Sequence, residues 1–175
     1  IKKIANFKKP IILSTGMNDI KSIKKSVNVL KKEKAHFALL HCISEYPANI
    51  KKLNLDFINV LKKKFPNVII GYSDHAKGII PAISAMAKGA LIIEKHFTDT
   101  KKRLGPDIIC SMDPNELKIL KESANQIFYS NGNTRIISSI EKITAKFAFS
   151  SVVSIKDIMS GEKFSEKNIW VKRPG

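Results

Sequence analysis

The chain has 175 residues, 43% apolar and 26% charged, with only 8 Gly and 7 Pro, a composition that excludes disordered and fibrous classes and suits one buried core. No run of about 20 apolar residues occurs and the opening residues show no secretory pattern, so a soluble, cytoplasmic protein without a membrane partner is expected. Lys and Arg number 31 against 15 Asp and Glu, a net charge of +16, yet the placement argues against nucleic acid as a partner. Lys21, Lys24, Lys25, Lys31 and Lys32 follow one predicted helix, Lys62 to Lys64 end a second, and Lys118 and Lys121 sit on a third, with no aromatic residues interleaved.

Residues 1–8 read as the tail of a helix, and Lys9-Pro10 as a turn into a first buried strand, Ile11–Leu13. That strand ends in Ser14-Thr15-Gly16-Met17, with Ser14 at its C-terminal mouth. Asn18 or Asp19 caps a helix with apolar positions Ile20, Ile23, Val27 and Leu30. The second strand, Phe37–Leu40, leads into His41-Cys42-Ile43-Ser44-Glu45-Tyr46-Pro47, and a helix carrying Leu55, Ile58 and Leu61 follows. Val68–Ile70 and Leu91–Ile93 are the third and fourth strands, joined by a helix within Gly78–Lys88. Asp113, Pro114 and Glu116 mark the start of a helix that runs to about Ser130. Cys42 and Cys110 lie in apolar company without a disulfide or metal spacing and read as reduced core thiols.

Polar residues gather after each strand and hardly ever before one. Four strand–helix units in succession, with chemistry after the strands, suggest half of a (β/α)8 barrel. An open doubly wound sheet gives similar local patterns, although no Gly-rich phosphate fingerprint follows any strand. In either case a right-handed crossover brings His75, after the third strand, and His96, after the fourth, to the same end of the sheet. Neighbouring strands lie about 4.8 Å apart, close enough for two imidazoles to share one divalent metal. From residue 145 the pattern changes: Ile155–Glu162 and Asn168–Val171 suggest short strands and turns. Residues 1–130 are therefore assigned to the barrel half, 131–144 to a linker and 145–175 to the start of a small β-rich domain.

The segments KPIILSTGMN, HCISEYP, IGYSDH, IIEKHFT, GPDIICSMDP and GEKFSEKNIWVKRPG, in this order, closely resemble the bacterial sialic acid synthase family, N-acetylneuraminate synthase and its legionaminate and pseudaminate relatives. The resemblance implies the second half of a TIM barrel followed by the beginning of an antifreeze-like (SAF) domain, in a cytoplasmic enzyme of carbohydrate biosynthesis that works as a domain-swapped homodimer. It implies a transferase that condenses phosphoenolpyruvate with N-acetylmannosamine or a related N-acetylated hexosamine, releasing phosphate. It also implies Mn2+ or Mg2+ held by His75 and His96, with Ser44, Tyr46, Ser73 and Asp107 binding the substrates and Asp74 and Glu94 orienting the imidazoles. The family's phosphate-gripping Lys and Ser and its acid–base carboxylate belong to earlier strands, so residues 1–175 alone are expected to be inactive. Two other classes stay open on the residues themselves: a metal-dependent barrel aldolase with Lys95 as Schiff-base lysine, and a basic anion-binding module.

Overall fold

Four apolar runs become four parallel strands in the computed structural model, which describes residues 1–175. A single helical turn, α1 (Lys2–Ala5), precedes β1 (Ile11–Ser14). The chain then alternates through α2 (Ile20–Lys32), β2 (Phe37–Cys42), α3 (Phe57–Lys64), β3 (Ile69–Asp74), α4 (Ile80–Ala87) and β4 (Ile93–Lys95) before α5 (Pro114–Ser130). The strands lie side by side in chain order, β1-β2-β3-β4, all parallel. No strand reverses the order, so the switch point of a doubly wound sheet does not occur here. This is the succession of a barrel wall.

The helices form for local reasons and stay for tertiary ones. The Asp19 carboxylate accepts the Ser22 N–H at 2.8 Å and caps α2, and Ile23, Val27 and Leu30 then recur on one buried face. On α3, Ile58 and Leu61 do the same. Ile23, Val27, Ile58 and Leu61 share one core cluster with Leu39, Ile70 and Tyr72 of the central strands, and each fully buried aliphatic residue contributes about 1.5–3 kcal/mol. At α5 a reciprocal capping box links Asp113 and Glu116, with Pro114 inside the first turn.

Because strand side chains alternate, the residues opposite the helices form rows across the ladder. Ile12, Ala38 and Ile69 are register partners on that face, and Ile12 and Ile69 are 61% and 50% exposed. One row further on stand Ser14, Leu40 and Gly71, and after them Cys42, Ser73 and Glu94. The face thus turns from apolar to polar toward the strands' C-terminal ends.

The strands run further than the apolar runs suggest. β3 continues through Gly71-Tyr72-Ser73-Asp74, and β4 occupies Ile93–Lys95 rather than 91–93. Polar side chains at these ends leave the backbone ladder intact, so the change in side-chain chemistry falls before the change in structure. A further parallel bridge joins Phe97 to Met112, with Met112 N–H donating to the His96 carbonyl at 2.8 Å and Thr98 N–H to the Met112 carbonyl at 2.9 Å. It starts a fifth position in the wall that the sequence alone did not reveal.

The chain forms two compact units, Ile1–Asn131 and Gly132–Gly175. In the second, α6 (Ser139–Ala148) begins within the last part of the stretch read as a linker, and β5 (Ser151–Ser154) pairs antiparallel with β6 (Ile169–Lys172). Ile155–Glu162 forms bends and turns rather than a strand. Asn168 holds this turn region together, donating to Glu162 and to the Lys163 carbonyl and accepting from Ser165 N–H at 2.7 Å.

Gly71 is the tightest point of the wall. A Cβ there would meet the Ile92 carbonyl and the Leu40 side chain, and the first of these is backbone that cannot swing aside. Gly71→Ala should therefore lower stability by about 2 kcal/mol, the cost typical of overpacking. Urea unfolding of the complete protein checks this, and an unchanged midpoint would contradict the close approach of β3 and β4.

Candidate active site

At the ends of β3 and β4 the register sets Asp74 opposite Lys95. Alternation turns both toward the helices, where neither side chain is exposed. Lys95 Nζ donates to Asp74 Oδ2 at 2.9 Å and to the Ala76 carbonyl at 2.7 Å. Asp74 Oδ1 accepts from Ala76 N–H at 2.9 Å and from the Tyr72 hydroxyl at 3.2 Å. The two charges offset one another, and their hydrogen-bonding groups are satisfied within the fold.

The next residue on each strand is a histidine. The rings of His75 and His96 stand 5.3 Å apart, and Tyr46 from the loop after β2 packs on both, at 4.1 Å and 5.8 Å. His75 Nδ1 lies 3.0 Å from the Ile43 carbonyl, which accepts its proton in the Nδ1–H tautomer, while Ala48 N–H donates to the His75 carbonyl at 2.9 Å. His96 Nδ1 faces Asp107 Oδ2 at 3.8 Å. His75 Nδ1 thus meets an oxygen within hydrogen-bond reach, the arrangement that fixes the tautomer of a metal-binding histidine and leaves Nε2 free, whereas Asp107 approaches His96 Nδ1 without a hydrogen bond. Metal–nitrogen bonds of about 2.0–2.1 Å place the ring centres of two ligands on one ion roughly 4.5–5.5 Å apart. The residues present therefore fit a divalent cation. No group of three or more His, Cys, Asp and Glu gathers around the pair.

Around the pair, Ser73 Oγ donates to Glu94 Oε2 at 2.6 Å. Ser44 Oγ and Cys42 Sγ are 3.7 Å apart, and both crowd Gly16 from the loop after β1. Asp107 precedes a short 3-10 turn, Ile108–Cys110, and its carbonyl accepts from the Ser111 hydroxyl at 2.8 Å. The half-exposed Tyr46 phenol is pushed above its ordinary range, first by loss of water on its packed side and then by the acidic groups of Cys42, Asp107, Glu94 and Cys110. It is a neutral hydrogen-bond donor at pH 7.

Tyr46, His75, His96 and Asp107 come together, with Ser44 beside them through Cys42. Neither Asp74 nor Glu94 hydrogen-bonds an imidazole directly. Asp74 points to the opposite face of the sheet and is neutralised by Lys95, and Glu94 takes the hydroxyl of its register partner Ser73. Ser73 is buried with its proton committed to Glu94, so it can only accept from a third group. Lys95 is no strand-end nucleophile, because its ammonium is enclosed and held by two acceptors, and a Schiff-base role for it fails. Cys42, read from its neighbours as a core thiol, is buried but lies 3.7 Å from His75 Nδ1 as well as from Ser44. Its position two residues before Ser44 was the available signal.

A wall of parallel strands in chain order, with a histidine pair, hydroxyls and carboxylates at its C-terminal mouth, defines a barrel-type α/β protein with a site of enzymatic character. The chain belongs to the NeuB family, whose model matches residues 1–135. It is 43% identical to the N,N'-diacetyllegionaminic acid synthase of Campylobacter jejuni over 99% of its own length and 53% of that protein, and so spans about half of that curated relative. The crystal structure of the N-acetylneuraminic acid (sialic acid) synthetase of Leptospira borgpetersenii, in complex with citrate, matches with a TM-score of 0.75 and 37% identity, over 82% of this chain and 50% of that one. The spore coat polysaccharide biosynthesis protein SpsE of Bacillus subtilis matches over 99% of this chain and 53% of its own, with a TM-score of 0.69 and 30% identity.

His41, in the loop-side end of β2, is buried between Phe57 and Tyr72, and its Nε2 meets the Leu53 carbonyl at 2.7 Å. Burial pushes its pKa down, and the Leu53 carbonyl only partly opposes this. The folded value lies below the unfolded one, so the stabilisation is present above about pH 6.5 and is lost as pH falls through the folded value. The thermal midpoint should drop between pH 7.5 and 5.5, and His41→Gln, which keeps a donor for Leu53, should flatten that slope. An identical slope in the variant would show that other groups cause it.

Proposed function

We propose that this chain supplies the metal-binding part of a phosphoenolpyruvate-dependent nonulosonic acid synthase. The observation that carries the reading is the pair His75 and His96 on adjacent strand ends, with both Nδ1 atoms facing oxygens, in a member of the NeuB family. The reaction joins the enol carbon of phosphoenolpyruvate to the aldehyde carbon of N-acetylmannosamine or a related N-acetylated hexosamine. Water adds at the phosphate-bearing carbon, and phosphate leaves by C–O cleavage.

His75 and His96 would hold a Mn2+ or Mg2+ ion, which supplies Lewis acidity toward an aldehyde oxygen. Tyr46 presents a neutral phenol beside the imidazoles and donates to an anionic substrate group. Ser44 borders the same space. Asp107, half exposed, accepts from sugar hydroxyls while it steadies His96. Glu94 is held by Ser73 on the same face of the sheet.

The identity to the legionaminic acid synthase over nearly the whole chain favours a second product reading, legionaminate, with pseudaminate as a further relative. In the same proposal the stretch from residue 145 begins an antifreeze-like domain, supported by the SpsE match, which extends across it. In this reading the protein works in the cytoplasm as a domain-swapped homodimer.

In the complete protein, His75→Ala and His96→Ala should each lower turnover by more than about 100-fold, the upper end of what loss of a mere supporting partner costs a metal site. Near-normal turnover of either variant in manganese would remove it as a ligand. Tyr46→Phe should raise KM for phosphoenolpyruvate by about tenfold, since a hydrogen bond to a charged group contributes roughly 1.5 kcal/mol. A rise confined to the sugar would move Tyr46 to the other substrate.

A further inference from the structure

We propose that the buried Asp74–Lys95 pair is the positioning device of the site, a clamp that sets the separation at which His75 and His96 take one divalent cation; the inference rests on the metal reading above. Asp74 and Lys95 are cross-strand partners, and each immediately precedes one of the histidines. The clamp grips the chain on both sides of His75. Asp74 Oδ1 accepts from Ala76 N–H and Lys95 Nζ donates to the Ala76 carbonyl, so the residue after His75 is tied to the strand before it and to the neighbouring strand. Beyond Lys95, the His96 carbonyl accepts from Met112 N–H at 2.8 Å, which anchors that strand end from its far side.

An apolar pair would fill the same space without desolvating two charges, and such replacements are often neutral or stabilising. An apolar pair does not fix register or direction, and that is the best attested use of buried charge. Metal sites need that precision, since ligand distances hold to within about 0.2 Å. A displacement of a few tenths of an ångström at one strand end would leave the core packed and the two imidazoles misplaced.

The test uses the complete protein with Asp74→Asn and Lys95→Gln together. Asn keeps an acceptor for Ala76 N–H, Gln keeps a donor for the Ala76 carbonyl, and both charges are gone. The thermal midpoint should stay close to wild type, while Mn2+ affinity by calorimetry falls about tenfold, as for loss of a supporting partner, and the visible spectrum of bound Co2+ changes. Tyr72→Phe is the milder variant. It deletes one donor to Asp74 and keeps the ring, and should weaken Mn2+ about threefold, a fraction of one neutral hydrogen bond. Wild-type affinity and Co2+ spectrum in whichever of the two folds would show that the pair only stabilises the core, and would overturn the clamp. If the wild-type protein binds neither ion, or binds them unchanged in His75→Ala, the metal reading itself falls and the clamp with it.

Discussion

Two opposite charges sealed between a parallel sheet and its covering helices impose a strict geometry. Removing one partner of such a pair costs about 3–5 kcal/mol, because the other is left charged in a medium that cannot solvate it. Asp74 and Lys95 therefore have to meet, and the β3–β4 register in which they meet is the one that aligns Ser73 with Glu94 and places the two histidines one residue further on. The same enclosure removes both groups from chemistry. Lys95 Nζ is held by two acceptors and the Asp74 carboxylate by three donors, so neither side chain is presented to the mouth.

The site follows from parity along these strands. Counting in twos from Ile12 and Ile69 leads to Ser14, Gly71, Ser73 and His75 on one face, while Leu39, Ile70 and Tyr72 serve the helix side. Gly71 sits where the polar half of that face begins. The absence of a side chain there lets β4 approach with Tyr72 N–H donating to the Ile92 carbonyl at 2.8 Å. A bulkier residue would push β4 outward just below the row that carries Ser73 and Glu94.

Much of this was legible in the sequence because it depends on local signals. The four apolar runs, the Asp19 and Asp113 caps and the helical spacing of Ile23, Val27 and Leu30 each announce an element within a few residues. Pairing His75 with His96 required only the handedness of the crossover. The misplaced assignments depended on partners distant in sequence. Nothing near Asp74 reveals that Lys95, 21 residues on, will neutralise it, nor that Glu94 will be taken by Ser73. The strand ends were cut short because a polar side chain looks like a loop until its backbone partner is known. Helix α6 had a local signal, Ser138 and Glu141 in capping-box spacing before an apolar run, that outweighs the polar composition upstream of it.

Electrostatics at the mouth set a condition on any anionic ligand. The side chains gathered there are neutral donors and carboxylates: Tyr46, Ser44, Glu94 and Asp107 beside the two imidazoles. Much of the basic surplus of +16 lies on helix ends such as Lys62–Lys64 and in surface pairs such as Lys88 with Asp56; the lysine on β4 is consumed in the core, while Lys77 and Lys101 to Arg103 stand in the loops after β3 and β4. That surplus acts over distance, drawing in anions through a field that salt screens within about 8–10 Å. It does not grip them. At contact range, a phosphate and a carboxylate meeting Glu94 and Asp107 would be repelled unless positive charge stood between them. In the proposed chemistry, a cation on the histidine pair would supply such a charge at the point of contact.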